Sequence, residues 1–199
     1  MLKRSFINQV IEAGCDEAGR GSLVGPVYAA AVILPTDFDY EGLDDSKKMS
    51  ARKRLIIKEL IERTAISYHV ATASREEIER MNILNASILA MHRALDGLGR
   101  QPAMILVDGN RFKPYNDIQH TCIVKGDGLF MSIAAASVLA KTCRDAFMLE
   151  LHNEYPKYGW DTNKGYATKG HLDAIRQYGL TPHHRKSFLA NIQTRLFFK

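Results

Sequence analysis

The segment from Leu129 to Glu154 sets the strongest limit on what this chain can fold into. It reads as one long helix, and its run SIAAASVLAK is dominated by small residues. Side chains that small let a helix approach a sheet closely, so the chain needs buried strands to receive it. Short apolar runs supply them. Ile7 to Cys15 is mostly apolar and predicts a strand ending at the carboxylates Asp16 and Glu17. Gly25 to Leu34 (GPVYAAAVIL), with Pro26 and Pro35 near its ends, predicts a second buried strand after a glycine-rich turn. Ala65–Thr72, Met104–Val107 and Gln119–Val124 predict three more.

Helical spacing with charges between the apolar positions marks Ser50–Arg63, with Ser50 as its N-cap. Ser74 and Glu77 form a capping-box pattern that predicts a short helix. Asn82–Leu98 predicts a longer one that stops near Gly97 and Gly99. Lys169–Tyr178 and His184–Phe197 read as terminal helices. Strands and helices mix along the chain with no repeat or linker, which predicts one α/β domain over residues 1–199. Its C-terminal region, from about 165 to 199, is helical.

The chain has 199 residues and a formal charge of +5. That excess is modest but concentrated: from Lys157 to Lys199 there are eight Lys/Arg against two Asp. Such a surface suits a phosphate-rich partner. Cys15, Cys122 and Cys143 are widely spaced, which argues against a disulfide framework or structural zinc site and predicts a reducing cytoplasm. No stretch reaches the roughly 18 apolar residues of a membrane helix, and the N-terminus lacks the pattern of a signal peptide.

Four acids fall where a sheet edge would hold them. Asp16 and Glu17 end one predicted strand, Asp108 closes another, and Asp127 lies in KGDG before the long helix. Each alone reads more readily as a turn or loop acid. Together they match a phosphodiester-cleaving site, where two hard divalent cations roughly 3.5–4 Å apart activate water and neutralise the leaving oxygen. Mg²⁺ takes oxygen ligands and few carboxylates. Gly19, Arg20 and Gly21 follow the first two acids, and glycines let backbone N–H groups approach a ligand. Ser46 and Lys47 in DDSKK fit a phosphate contact or a solvated charge run. Ser137 and Lys141 share a face of the long helix, i,i+4 apart, and also suit a phosphate. Ser132 and Ser137 could equally bond back to their own helix. His183-His184-Arg185-Lys186 reads as a basic, phosphate-facing turn rather than a metal site, and Trp160 as packing.

The blocks DEAGRGSLVGPV, DDSKKMS, LVDGN, VKGDG with SIAAASVLAKTCRD, KGYATKGH and HRKSF occur in this order over residues 15–188. The set closely resembles bacterial ribonuclease HII. The resemblance implies a ribonuclease-H-like mixed sheet flanked by helices, with a helical C-terminal part. It implies a monomeric endoribonuclease dependent on Mn²⁺ or Mg²⁺ that cuts RNA–DNA hybrids and DNA duplexes containing ribonucleotides, leaving 3′-hydroxyl and 5′-phosphate ends. By motif, Asp16, Glu17 and Asp108 match the family's metal-binding acids and Asp127 its fourth. Asp145 competes for that fourth role but sits deep in the long helix, where it could instead partner Lys141 or Arg144. Gly19-Arg20-Gly21 match the turn that senses the ribose 2′-hydroxyl, and Tyr166 matches the tyrosine that stacks on the sugar; the 2′-hydroxyl is what distinguishes RNA from DNA at one site. Some family members carry a further helical extension that helps hold substrate, and this sequence stops soon after HRKSF. The alternative from another class is a non-catalytic basic nucleic-acid-binding domain, which leaves four positioned acids without a purpose.

Overall fold

The computed structural model describes residues 2–40 and 42–190. The apolar runs become five strands: β1 (Glu12–Ala18), β2 (Val27–Ile33), β3 (Ser67–Ala73), β4 (Met104–Asp108) and β5 (Gln119–Ile123). They form one sheet in the order β3-β2-β1-β4-β5. β1 and β2 are joined by the glycine turn and pair antiparallel, from Ala13 opposite Ile33 to Ala18 opposite Tyr28. β3 continues the antiparallel half. β4 runs parallel to β1, and β5 parallel to β4, so the sheet is mixed.

Both faces of the sheet are covered, as alternation along the strands requires. Ala13 and Cys15 of β1 pack into a core with Ala86, Ala90 and Met91 of α2 (Arg75–Asp96). Ala18 of β1, with Ala30 and Val32 of β2, faces the other way. There they meet Ala134, Ala135 and Leu139 of α3 (Met131–Glu154) and Ile57 and Ile61 of α1 (Ala51–Thr64). The small residues of α3 bring it close to β1: a Cβ on Gly14 would overlap the backbone of Ser132 and Ile133.

The caps fall where the sequence places them. Ser50 Oγ accepts from the Lys53 amide. Ser74 and Glu77 form the reciprocal box, at 3.2 and 2.8 Å. α2 is two helical pieces joined at Asn82, whose φ of 67° is left-handed and whose side chain caps the second piece through the Asn85 amide. That agrees with the short and long helices predicted on either side of Asn82.

One boundary differs. β1 begins at Glu12 and runs through Asp16, Glu17 and Ala18, rather than spanning residues 7–15 and stopping before the acids. Residues 6 and 7 instead turn around Glu12, whose carboxylate accepts their amides. The β2 ladder then carries the strand past the acids to Tyr28.

The C-terminal part docks on the far half of α3. α4 (Trp160–Asn163) and α5 (Lys169–Tyr178) bury Trp160, Tyr158 and Ala174 against Met148 and Leu151. The last predicted helix begins at 186 rather than His184, because His184 bridges to Val24 and Arg185 turns inward. Its 191–197 portion lies outside the described residues. No helix among the described residues is long and apolar enough to cross a membrane.

Candidate active site

Three parallel strands end at the same edge of the sheet, and each delivers an acid. Cys15 lies opposite Val107, so Asp16 and Asp108 leave neighbouring strands side by side. β5 ends at Ile123 beside Asp108, and the chain then turns through left-handed Lys125 into a 3-10 turn, Gly126–Gly128, that carries Asp127. The Gly126 amide donates to Asp108 Oδ1 at 2.7 Å, which ties that turn to β4. Ligands of α/β sheets bind at the carboxyl ends of parallel strands for this geometric reason.

The acids are crowded and poorly hydrated. Asp16 is only 4% exposed and Asp127 6%. Burial pushes the Asp16 carboxyl well above the usual range, and the Glu17 and Asp108 carboxylates push it further. The Ser137 hydroxyl and the Glu17 amide oppose this, the amide bonding Asp16 Oδ1 at 2.7 Å. Burial also raises Glu17, against the pull of Arg20, whose guanidinium lies 3.1 Å away. Asp127 is raised by burial, then by Asp108 and Asp45. The three shifts share a direction: the acids are buried together with less positive charge than they need, which a cation would supply.

An open cleft of about 520 Å³ lies over these strand ends. Asp16, Glu17, Asp108, Gly19, Arg20, Gly21, Ser46, Lys47, Ser137, Lys141 and Tyr166 all line it. Asp127 does not, but its carboxylate is 3.7 Å from Lys47 Nζ. Burial works against the Lys47 charge, yet Asp127, Asp16, Asp45 and Asp108 together raise its pKa. Ser46 Oγ and Ser137 Oγ are 2.9 Å apart, which ties the DDSKK loop to α3. Asp145 stands apart from the acids, held by Lys141 at 2.7 Å and Arg54 at 3.3 Å. Lys141 was one of its two expected partners; Arg144 is not bonded to it.

Among the described residues, no group of three or more His, Cys, Asp or Glu side chains is arranged to hold a metal ion by itself. Mg²⁺-like cations do not need one, since they keep waters and use substrate phosphate oxygens. The cleft offers carboxylates and hydroxyls with no cysteine or histidine, a donor set suited to Mg²⁺ or Mn²⁺.

The glycine turn faces Tyr166 across the cleft. Gly19 has a φ of 93°, and a Cβ on Gly21 would sit 3.9 Å from Tyr166 Cε1. Tyr166 is half-buried, and its carbonyl is 2.9 Å from His171 Nδ1. A carbonyl only accepts, so His171 carries its proton on Nδ1, which leaves Nε2 to accept from Trp160 Nε1 at 3.0 Å. Burial holds His171 below the usual histidine range and His184 at about 4.

The phosphate-facing turn expected at 183–186 is not formed by His184 and Arg185. Both are buried, at 1% and 0% exposure. Arg185 reaches back to the carbonyls of Gly19, Arg20, Gly25 and Pro26, at 2.8–3.0 Å. A sequence signal for this is absent, because a basic residue in a polar run reads as solvated. Arg54 was missed for the same reason: it lines the cleft and donates to the Ser46 and Met49 carbonyls.

Residues 13–191 match the family model described as Ribonuclease HII. The ribonuclease HII of Phocaeicola vulgatus is 59% identical over 188 residues, 94% of each chain. That of Bacteroides fragilis is 58% identical over the full length of both. Among solved structures, the ribonuclease H2 of Pyrococcus horikoshii superposes with a TM-score of 0.76 at 23% identity, over 94% of this chain and 99% of that one. Bst-RNase HIII in complex with Mn²⁺ gives 0.70 at 18% identity, over 95% and 72%. These two structures share the mixed sheet with flanking helices. The chain belongs to the ribonuclease HII family and is a type 2 ribonuclease H, acting on RNA paired with DNA.

Proposed function

We propose that this ribonuclease H also incises DNA at single embedded ribonucleotides, with two divalent cations held by Asp16, Glu17, Asp108 and Asp127. The observation that carries this reading is the shared cleft: the acids, the glycine turn and Tyr166 line or adjoin one space. Mn²⁺ is bound in Bst-RNase HIII, a protein of the same fold. When bound, the cations supply an activated water and charge neutralisation on the leaving oxygen.

The residues of the chain divide the remaining work. Asp16 and Asp108, on neighbouring strands, are placed to share ligation; Glu17 and Asp127 flank them on either side. Ser46, Lys47, Ser137 and Lys141 hold the phosphate backbone, as hydroxyl and ammonium groups commonly do. Backbone amides of Gly19-Arg20-Gly21 bind the 2′-hydroxyl, and Tyr166 stacks on the sugar. Hydrolysis at that nucleotide leaves a 3′-hydroxyl and a 5′-phosphate.

The test is a DNA duplex with one ribonucleotide, incubated with Mg²⁺ or Mn²⁺. Incision at that nucleotide and none in an all-DNA duplex is expected. Equal incision of both duplexes, or cleavage of continuous hybrids alone, would sink the reading.

A further inference from the structure

Two buried arginines stand behind the ribose-sensing pair, and neither is itself part of the cleft lining described above. Arg185 binds the carbonyls of Gly19 and Arg20 through Nη1, and those of Gly25 and Pro26 through Nε and Nη2. A trans peptide sets its carbonyl and N–H on opposite sides. With the Gly19 and Arg20 carbonyls drawn inward to Arg185, the amides of the same peptides, those of Arg20 and Gly21, point the other way. Arg185 therefore decides the direction in which the turn presents its donors.

Arg144, on α3, occupies the space between the turn and Tyr166. A Cβ on Gly19 would collide with its Nε and Cδ. Its guanidinium carbon lies 5.3 Å from the Tyr166 ring centre, and Nη2 donates to the Lys164 carbonyl at 2.8 Å. It is 1% exposed, and Nε and Nη1 have no hydrogen-bond partner among the described residues. A buried guanidinium so poorly satisfied costs stability rather than adding it. What it does provide is separation: it fills the gap that fixes the glycine turn relative to the tyrosine ring.

We infer that Arg144 and Arg185 are positioning residues for ribose selection, the first setting the spacing between turn and Tyr166 and the second aiming the amides of the turn. The inference rests on the proposed role of that turn and Tyr166. Displacements of about 1 Å in a positioned site can cost as much as a hundredfold in rate.

The experiment measures single-turnover cleavage of two substrates, a duplex with one ribonucleotide and a continuous RNA–DNA hybrid. The ratio of the two rates does not depend on the fraction of enzyme that is folded. Arg144→Lys and Arg185→Lys, which keep the charge but lose the planar fork, are compared with Tyr166→Ala. Both lysine variants are expected to lower the ratio by roughly tenfold or more. Amide resonances of Gly19 to Ser22 should shift in Arg185→Lys, and ring resonances of Tyr166 in Arg144→Lys. A ratio unchanged in the arginine variants but lowered in Tyr166→Ala overturns the inference alone. A ratio unchanged in all three overturns the underlying reading of the site as well. Equal loss on both substrates with a lowered melting temperature marks a purely structural role, and also overturns it.

Discussion

Lys47 Nζ lies 3.7 Å from Oδ2 of Asp127, so a lysine with 77% of its side chain exposed is the ion-pair partner of a carboxylate that is almost fully buried. The same ammonium is influenced by Asp16 and Asp108, which places it between the acids and solvent. Lys47→Ala is expected to lower kcat/KM by roughly tenfold. The slope of log KM against log salt should fall by about one, the signature of one lost phosphate contact. Steady-state kinetics at several salt concentrations check both, and an unchanged slope would assign Lys47 to the acids alone.

Asp108→Asn keeps the shape of the side chain and can still accept from the Gly126 amide, but it removes a charge from the crowded edge. Cleavage is expected to fall by roughly a thousandfold, with an unchanged circular dichroism spectrum. Asp16→Asn should lower activity in the same way while raising stability. Because the folded-state pKa of Asp16 is raised above its unfolded value of 3.8, the fold binds that proton more tightly. The stability so gained is present at low pH and lost as pH rises above 3.8. In chelator at pH 7, Asp16→Asn should melt roughly 2–4 °C higher than the parent protein, with a smaller gain at pH 4.

Gly14→Ala tests the contact between sheet and helix. The added methyl has no room between β1 and the start of α3, because its nearest neighbours are backbone atoms. Overpacking of this kind costs about 1–3 kcal/mol. Calorimetry should show a melting temperature lower by roughly 2–12 °C.

Glu77 accepts from three donors on two residues, the Ser74 amide and both terminal nitrogens of Arg93. Arg93 and the Ser74 amide hold its carboxyl down to about 2. Its contribution is therefore full above the unfolded pKa of 4.5 and fades as pH falls toward 2. The Arg93 side chain is 42% exposed and that of Glu77 19%, so solvent screens the pair in part and Glu77→Gln should cost about 1 kcal/mol at pH 7. The difference between variant and parent should vanish in melts near pH 2.

Much of this arrangement was legible in the sequence because it is written in local contrast. An acid at the end of an apolar run, as at Val107-Asp108, marks a strand reaching a sheet edge whatever lies beside it. Ser74 and Glu77 announce a helix start through atoms three residues apart. The choice between Asp127 and Asp145 was less local, since both are acids near a helix. In space, Asp145 is neutralised by Lys141 and Arg54, while Asp127 shares the field of Asp108. Arg185 could not be read at all. It looks like a solvated cation until the four carbonyls that surround it arrive from a distant part of the chain. The early start assigned to β1 failed for a related reason: residues 6 and 7 are apolar, but Glu12 captures their amides in a turn.

The reach of Arg185 has a consequence for biosynthesis. Its bond to Gly19 spans 166 residues, so a chain emerging from the ribosome exposes the glycine turn long before the arginine that shapes it. The acids too come from positions as far apart as 16 and 127. A nascent chain therefore holds neither the gathered acids nor the turn braced by Arg185 until most of it has been translated.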